Sequence, residues 1–385
     1  MRVFDGKRLG EPRTVVIDGA LIGDDPAGAE EIDAAGAALL PGLIDAHVHL
    51  HGPGNLAALA AWGVTTGLDM ACWPAERVAS LREAGGVADF RTAGLPAIGP
   101  GGHHARMPGM PPEAVILTAA GARRHVEARA AEGVDYIKGV AEAPGEGGPP
   151  ADALRALVEA AREYGLKTIV HAATPGAYTM AVESGAEFVT HTPIAGGVRA
   201  HDVAAMRSAG QRSIPTITMM EALLTAFMTS GPPPGRDHHL GEVLGDVGRL
   251  HRAGIEILAG TDANAQPSAP LPVPHGESLH HEFELMARAG MTPVEILRSA
   301  TVLPARAFGL ADRGAVRPGM RADLLLVNGD PTRDITATRD IRAVWCAGHP
   351  VTPAAAAGGL DDEAEPVVQL RSERLRTRPS CFFSA

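Results

Sequence analysis

Two histidines separated by one residue follow an apolar run near the start of the chain, and a carboxylate follows another apolar run near residue 260. The first run ends in Asp45-Ala46-His47-Val48-His49, and the second ends in Leu258-Ala259-Gly260-Thr261-Asp262. Because side chains alternate between the two faces of a β-strand, we expect His47 and His49 to point the same way. Imidazole and carboxylate groups that meet at one strand end are metal ligands.

Three more residues with metal-binding or reactive side chains stand at the ends of apolar runs between these two. They are Lys138, His171 and His191, which follow residues 134–137, 167–170 and 187–190. Two metal ions about 3.5 to 4 Å apart share a hydroxide and polarise a carbonyl group together. The six residues therefore predict a two-metal hydrolase site at the carboxyl ends of several parallel strands.

Short β-prone apolar runs alternate with amphipathic helical stretches between residues 42 and 310. Such alternation indicates βα units and a parallel sheet. The predicted strands are residues 43–48, 64–69, 92–98, 134–140, 167–171, 187–191, 213–216 and 256–260. Eight strands predict an α/β fold of the (β/α)8 type, a TIM-like barrel. Active sites of such barrels lie at the carboxyl ends of the strands, where all six candidate residues fall.

The segments outside the barrel predict a second, smaller unit. Residues 1–41 and 314–353 contain β-prone runs with no helical stretch between them, so we expect the two chain ends to build one composite β domain, a small β-sandwich. Residues 42–313 form the predicted barrel. Residues 354–385 are rich in Ala, Gly, acidic residues and Arg, which is typical of a poorly ordered tail.

Composition and charge exclude several classes of partner. The net charge of −11 disfavours nucleic acid, because phosphate backbones require clustered Lys and Arg. No run of about 18 apolar residues is present to span a bilayer, and the first residues lack the apolar region of a secretory signal. The three cysteines are far apart and have no metal-knuckle spacing. We expect a cytoplasmic enzyme that acts on a small molecule, without a membrane or nucleic-acid partner.

Lysine is rare in this chain, since only Lys7, Lys138 and Lys167 stand among 34 basic residues. Arginine thus serves wherever a positive charge suffices. An amine must become neutral before it can react with carbon dioxide. A guanidinium cannot replace it in this role, because it stays protonated up to a pH above about 12. We therefore assign Lys138 a functional role and treat the other two as structural.

These residues together resemble the metal-dependent amidohydrolase superfamily, in particular its imidazolonepropionase-like and Xaa-Pro-dipeptidase-like branches. The resemblance covers nearly the whole chain. It is carried by the Pro41-Gly42-Leu43-Ile44-Asp45-Ala46-His47-Val48-His49 signature, by residues 63–66, 136–138, 291–297 and 319–325, and by the separate His171, His191 and Asp262.

The resemblance implies a role for each candidate residue. His47, His49 and Asp262 would hold one metal, His171 and His191 would hold the second, and Lys138, carboxylated by carbon dioxide, would bridge them. The expected ions are two Zn²⁺ per chain, although other divalent metals suit the same ligands. A shared hydroxide is expected to attack an amide carbonyl while Asp262 takes up the proton and delivers it to the departing nitrogen.

Two predicted loops carry candidate substrate contacts. His103, His104 and Arg106 follow the third strand, and His275 follows the eighth. Relatives often place a substrate-contacting histidine in these loops, and Arg106 is a candidate for holding a carboxylate. Residues 215–220 contain methionines where dipeptidase-like relatives commonly carry a tyrosine. That departure weakens a strict Xaa-Pro dipeptidase assignment and suits an apolar acyl group.

Hydrolysis of a peptide-like, N-acyl or cyclic amide bond in a small molecule is the first functional hypothesis. The same site would also serve a lactonase or phosphoesterase, because the attacking hydroxide does not itself select the electrophile. An imidazolonepropionase-type hydrolase with one metal is a further alternative, which Lys138 disfavours, since those relatives generally use one metal and lack a bridging lysine at this position. A non-catalytic scaffold is the alternative from another class. Relatives are often oligomers, so we expect a homo-oligomer.

Overall fold

The structure is a computed structural model that describes residues 1–230, 239–264 and 272–354. Met1–Ala354 form one compact unit. Apart from Ala354, the predicted tail of residues 354–385 lies outside the described residues, as does most of the loop before His275. Within the described part, no helix combines the length and apolar character that a membrane crossing requires.

Among the described residues, the strands lie within residues 2–214 and 324–351, and the α-helices lie within residues 53–307. The strands are β1 Arg2–Phe4, β2 Leu9–Pro12, β3 Val16–Asp18, β4 Leu21–Gly23, β5 Ala38–Pro41, β6 Leu43–Val48, β7 Val64–Asp69, β8 Asp89–Thr92, β9 Ile137–Val140, β10 Thr168–His171, β11 Phe188–Thr190, β12 Arg212–Ile214, β13 Leu324–Val327, β14 Ile341–Cys346 and β15 His349–Val351. The helices are α1 Pro53–Ala61, α2 Ala75–Arg82, α3 Ala119–Ala131, α4 Ala151–Glu163, α5 Pro175–Glu183, α6 Ala200–Ala209, α7 Ile217–Ser230, α8 Leu240–Arg252, α9 Glu277–Arg288, α10 Pro293–Ser299 and α11 Val302–Ala307.

Two parallel sheets carry the candidate residues. β6, β7 and β8 form one sheet, and β9 to β12 form the other. Single parallel bridges extend the pairing beyond both sheets, and they join Ala97 to Gly139, Ser213 to Ile257, and Val48 to Ala263. Helices follow the strands as the apolar periodicity predicts, so the chain has the α/β architecture expected from its sequence.

The predicted third and eighth strands differ most from the observed ones, and the fourth, predicted over residues 134–140, begins only at Ile137. The third was expected over residues 92–98, whereas β8 spans Asp89–Thr92. Gly94 has a φ of +63°, which ends the regular strand, and only Ala97 and Ile98 pair further along. The eighth, expected over residues 256–260, pairs through one bridge and through backbone bonds such as Ala46 N–H to Ala259 O (2.8 Å). Apolar periodicity locates both segments, but it does not reveal how many ladder bonds each one makes.

A six-stranded sheet brings the two chain ends together, in the order β15-β14-β13-β5-β1-β2. β13 pairs antiparallel with β5, with Leu325 opposite Leu40. β3 and β4 form a separate two-stranded hairpin. Leu39, Leu324 and Leu326 are buried together with Val3 and Ile22 in a core of their own. Residues near the two ends of the described chain therefore share one sheet.

A register shift in β6 sets the direction of the two N-terminal histidines. Asp45 pairs with Gly67 of β7, and Val48 pairs with Asp69. Three residues along β6 therefore match only two residues along β7, so β6 contains one extra residue. Such a bulge reverses which face the following side chains occupy. Ile44 and Ala46 pack in the apolar cluster that also contains Leu68, Ile169, Phe188, Ile214 and Leu258, whereas Val48 packs in the other large cluster. The side chains of His47 and His49 therefore lie on the same face of the sheet as those of Ile44 and Ala46.

Arg313 ties the segment after α11 to the first parallel sheet. Its side chain is 3% exposed, and Nη1 donates to Thr66 Oγ1 at 2.9 Å and to Asp89 Oδ2 at 2.7 Å. Nε and Nη2 donate to the two carboxylate oxygens of Asp312, each at 2.9 Å. Asp323, which precedes β13, lies 4.0 Å away. One guanidinium thus connects the strands of the site to the sheet built from the chain ends.

Replacing Arg313 with Met should lower the free energy of unfolding by about 1 to 3 kcal/mol, because Thr66 and the part-buried Asp89 lose a charged hydrogen-bond donor. The loss is limited because Arg91 still pairs with Asp89 and Arg321 still pairs with Asp323. Urea denaturation monitored by circular dichroism measures the change. Arg333→Met is the matched control, since its side chain is 87% exposed, and it should change stability by no more than about 0.5 kcal/mol. Equal midpoints for the two variants would contradict the assignment.

Candidate metal centre

Five of the six candidate donors lie at or near the carboxyl ends of parallel segments, whereas Lys138, which the sequence places at a strand end, is the second of the four residues of β9. His47 lies in β6 and His49 follows it, Lys138 lies in β9, His171 ends β10, His191 follows β11, and Asp262 follows the segment that pairs with β12 and β6. Each side chain therefore reaches the same edge of the sheets, although the residues are far apart in sequence.

Asp262 joins the two N-terminal histidines. Its Oδ1 lies 3.0 Å from His49 Nε2 and 3.4 Å from His47 Nε2. One ligand atom from each of the three residues lies within 4.8 Å of the others. The His47 side chain is 1% exposed and that of Asp262 is 14% exposed, so the group is largely sheltered from bulk solvent. Two imidazole nitrogens and a carboxylate oxygen at this spacing could hold a divalent ion.

His171 and His191 form a second group beside the first. His191 Nε2 lies 2.8 Å from His171 Nδ1, and their ring centroids are 4.5 Å apart. Asp262 connects the two groups, because its Oδ2 lies 3.9 Å from His191 Nδ1. The His47 and His191 rings also lie 4.8 Å apart. The arrangement therefore has two adjacent sets of nitrogen donors with one carboxylate between them.

The Lys138 amine is buried and has no hydrogen-bond partner among the described residues. Burial lowers its pKa to about 7, although the negative charges of Asp262 and Asp69 act in the opposite direction. Buried amines are normally hydrogen-bonded, and an unpaired one requires an explanation. A near-neutral amine is also the form that reacts with carbon dioxide, whereas an ammonium is not. The geometry thus leaves room for a further group at Nζ.

Three imidazoles of the centre, those of His47, His171 and His191, are held in the neutral form that metal binding requires. Burial lowers the pKa of His47 and of His171 well below the usual value, and the positive charges of neighbouring groups add to the effect. Burial also lowers the pKa of His191 to about 3. Burial would raise the pKa of Asp262, but the hydrogen bond and charge of His49 outweigh it and keep the carboxylate ionised.

Two threonine hydroxyls orient the histidines, and sequence reasoning did not identify them. Thr190 Oγ1 lies 2.9 Å from His47 Nδ1, and Thr216 Oγ1 is hydrogen-bonded to His191 Nδ1. A metal ion bound at His47 Nε2 would leave the proton on Nδ1, which would then donate to Thr190 Oγ1. Such bonds fix the tautomer and the orientation of a ligating ring. Each threonine stands at a predicted strand end, which is the only signal in the sequence that would have indicated it.

Backbone strain is concentrated at this centre. Thr216 and Asp262 have φ values of +48° and +58°, and in the described chain only Ala347 joins them as a non-glycine residue with positive φ. A left-handed β-branched residue is uncommon. Asp45, buried below Asp262, accepts hydrogen bonds from the N–H groups of His47 and Thr261 (both 3.1 Å) and from the Thr261 hydroxyl (2.7 Å). These bonds stabilise the strained turn that aims Asp262 at the histidines.

A cavity of about 1350 Å³ opens above the centre. The predicted loop residues His103, His104 and Arg106 line it together with all six candidate donors. The His104 ring lies 4.6 Å from the His171 ring, so His104 stands directly beside the second histidine group. Glu142, which sequence reasoning missed, lines the cavity too, and its Oε1 accepts a hydrogen bond from His103 N–H at 2.7 Å.

His275 occupies a different position from the other predicted substrate contacts. It is buried, its Nε2 lies 2.9 Å from His49 O, and its Nδ1 lies 3.5 Å from Asn55 Nδ2. It is absent from the described residues that line the cavity. Its ring therefore supports the backbone of the His49 strand end, and the expectation that it touches substrate gains no support from this geometry.

Comparison with known proteins places this centre in a family. The model of the Amidohydrolase family matches residues 38–351. The chain belongs to the amidohydrolase family. The match includes every strand end described above and β13 to β15 of the composite sheet. Membership in this family agrees with the resemblance that the His47–His49 signature and the separate donors indicate.

Individual amidohydrolases and related structures extend the comparison. The chain is similar to an imidazolonepropionase from Deinococcus deserti, with 32% identity over 201 residues that make up 50% of this chain and 44% of the relative. The matched part thus spans less than half of that relative's length. A Xaa-Pro dipeptidase with bound methionine has a TM-score of 0.72 at 21% identity, covering 91% of this chain and 97% of the other. Phenylurea hydrolase B has a TM-score of 0.73 at 23% identity, covering 95% and 98%. At these identities the structural matches show a shared TIM-barrel-like α/β fold.

Replacing Thr190 with Val should weaken divalent-metal binding by about 10- to 100-fold, because the isosteric change removes the acceptor that orients His47. Competition with a chromogenic zinc chelator measures the affinity. Thr65→Val is the matched control, because the Thr65 hydroxyl is buried and has no hydrogen-bond partner among the described residues. Equal affinities for the two variants would show that Thr190 does not orient a metal ligand.

Proposed function

We propose that this amidohydrolase cleaves an amide bond of a small molecule with two divalent metal ions, with zinc as the first candidate. The observation that carries the proposal is the position of Asp262 and of the unpaired Lys138 amine next to two sets of imidazole nitrogens at the base of one cavity. Three donors within 4.8 Å of one another suit one ion. His171, His191 and a carboxylated Lys138 would hold the second.

The residues around the cavity each have a defined part in such a reaction. Divalent ions, when bound at the imidazoles, supply a water molecule of lowered pKa and a polarised carbonyl group. Asp262 takes the proton from the attacking water at a carboxylate oxygen and then gives it to the departing nitrogen. Such general acid–base catalysis contributes about 10² to 10⁴ in rate. His104 lies where it can donate a hydrogen bond to the substrate oxygen.

The relatives support a carbon–nitrogen bond as the target. A Xaa-Pro dipeptidase and a phenylurea hydrolase are named for substrates of this kind, and both share the fold. The match to an imidazolonepropionase supports a second candidate, a cyclic-amide hydrolase with a single metal. The buried, unpaired Lys138 amine favours the two-metal centre, because a one-metal site gives that amine no role. Lactone and phosphoester hydrolysis remain further hypotheses for the same centre.

The proposal also includes the framework around the centre. We infer that the two parallel sheets close into one (β/α)8 barrel over residues 42–313. The parallel bridges Ala97–Gly139, Ser213–Ile257 and Val48–Ala263 support closure at all three remaining edges. Residues 1–41 and 314–353 would then form the small composite β domain, which the pairing of β5 with β13 supports.

Metal analysis and a substrate panel test the function directly. The protein is stripped with a chelator, reloaded with zinc, and assayed against dipeptides, N-acyl amino acids, ring amides, lactones and phosphoesters. We expect about two ions per chain and hydrolysis of at least one amide class. One ion per chain with ring-amide hydrolysis would support the second candidate, and no hydrolysis of any compound would support a non-catalytic scaffold.

Replacing Lys138 with Ala should remove the second metal ion and most of the activity, because no bridging ligand remains. Added short carboxylates such as formate or acetate should restore part of the activity by occupying the vacated space. Metal content by mass spectrometry and initial rates with and without the carboxylate measure both effects. Lys138→Arg should be inactive as well, since a guanidinium does not react with carbon dioxide. A fully active Arg variant would contradict the carboxylated lysine.

A further inference from the structure

Arg77 lies on α2 and lines the same cavity as the metal centre. The residue is half-buried, and its backbone N–H donates to Pro74 O (3.0 Å). Among the described residues, none accepts a hydrogen bond from its guanidinium or forms an ion pair with it. The cavity therefore contains a permanent cation with five N–H donors that no described protein group takes up.

The acidic residues of the cavity do not compensate this charge by direct contact. Glu142 and Glu146 also line the cavity, but other donors hold both carboxylates. Glu142 Oε1 accepts the His103 N–H at 2.7 Å, and Glu146 Oε2 accepts the Ala143 N–H at 2.9 Å. Glu146 thus stabilises its own loop and Glu142 connects its loop to the one that carries His103, so the Arg77 guanidinium remains open to a bound molecule.

Arg106, the arginine that the sequence suggests for holding a carboxylate, has a different environment. It is exposed, and its Nη1 donates to Gly101 O at 2.6 Å within its own loop. One N–H group of its guanidinium therefore bonds to the loop that carries it. Arg77 has the more sheltered guanidinium and the larger number of open donors, so it is the better anion site of the two.

Apolar side chains line the rest of the cavity wall. They come from the loops near α2 and from the start of α7, and they are Trp73, Met107, Met110, Met219, Met220 and Leu223. A molecule that fills this space therefore meets a mainly apolar surface with one guanidinium in it. Flexible methionines adapt to an irregular apolar group.

We propose that Arg77 anchors an anionic group of the substrate, a carboxylate or a phosphate-like group, while an apolar part of the same molecule packs against the methionines. A guanidinium binds either anion through two parallel hydrogen bonds, which also fix the orientation of the molecule. The identification of this molecule as a substrate rests on the proposed amide hydrolysis. The anchor itself is a binding property that can be measured separately.

Binding to the zinc-loaded full chain is measured by calorimetry with compounds that the enzyme does not cleave. N-methanesulfonyl-L-leucine carries the anion, and N-methanesulfonyl-L-leucinamide is its neutral counterpart. The wild type should bind the anion about 10- to 100-fold more tightly, because a hydrogen bond to a charged group is strong when sheltered from water. Arg77→Met should abolish this preference, and Arg77→Lys should keep part of it, because an ammonium is a point charge without the planar fork.

Arg82→Met is the matched control on the same helix. Arg82 donates to Gly133 O at 2.9 Å and is absent from the cavity lining among the described residues, so the preference should be unchanged. Equal binding of anion and amide by the wild type, or a preference that survives in Arg77→Met, would overturn the anchor. Loss of the preference in Arg106→Met alone would also overturn it. Thermal melting of each variant confirms that it is folded.

A third compound, the phosphonate analogue of N-methanesulfonyl-leucine, distinguishes the two kinds of anion. Tighter binding of the carboxylate or of the phosphonate identifies the group, and both results support Arg77 when the preference depends on it. Hydrolysis of N-acetyl-L-leucine and its amide is followed in parallel. If neither is cleaved but the binding preference depends on Arg77, the proposed hydrolysis fails for these amides and the anchor stands. If both are cleaved with equal kcat/KM in wild type and Arg77→Met, the anchor fails and the hydrolysis stands.

Discussion

Burial of a donor cluster at the base of the cavity is the constraint on which the rest of this structure depends. His47, Lys138 and His191 are each less than 5% exposed, and burial disfavours their charged forms. The pKa values of these groups are accordingly lowered, while Asp262 remains ionised. The result is a set of neutral nitrogens and one carboxylate at neutral pH. That protonation state is the one that divalent ions require of their ligands, and no isolated peptide segment would maintain it.

Hydrogen bonds and strand geometry around the centre hold these groups together. Asp45 fixes the turn at Thr261, the threonine hydroxyls fix two rings, and the bulge in β6 turns His47 and His49 to the inner side. The positive φ values of Thr216 and Asp262 fit the same pattern, since strained residues persist only where the surroundings determine them. The rigid strands and the strained turns therefore act together: the strands set where each donor lies, and the turns set where it points.

The sequence predicts the strand ends of this centre well and its fine geometry poorly. Apolar periodicity locates His171, His191 and Asp262 because each directly follows a buried run, and parallel strands bring their carboxyl ends to one edge. Strand alternation alone does not predict the bulge between Asp45 and Val48, because an extra residue leaves no signal in the apolar pattern. The inward position of Arg77 and the buried support that His275 gives to His49 are equally hidden. Both depend on loop conformation, which is determined by tertiary contacts rather than by local residue type.

Glu282 connects the chemistry of the centre to the shape of the cavity. This residue of α9 is fully buried, and burial raises its pKa to about 7, against the effect of three hydrogen bonds from the first residues of α7. Its carboxylate oxygens accept the N–H groups of Ile217 (3.0 Å) and Thr218 (2.7 Å). A carboxylate at a helix N-terminus is stabilised by the unpaired N–H groups and by the helix dipole. Because α7 begins directly after Thr216 and carries the methionines of the cavity wall, one buried carboxylate fixes both the hydroxyl that orients His191 and the apolar surface that a substrate meets. Substitutions that move the start of α7 would therefore also disturb His171 and His191. Substitutions on α2 around Arg77 would leave these two histidines untouched.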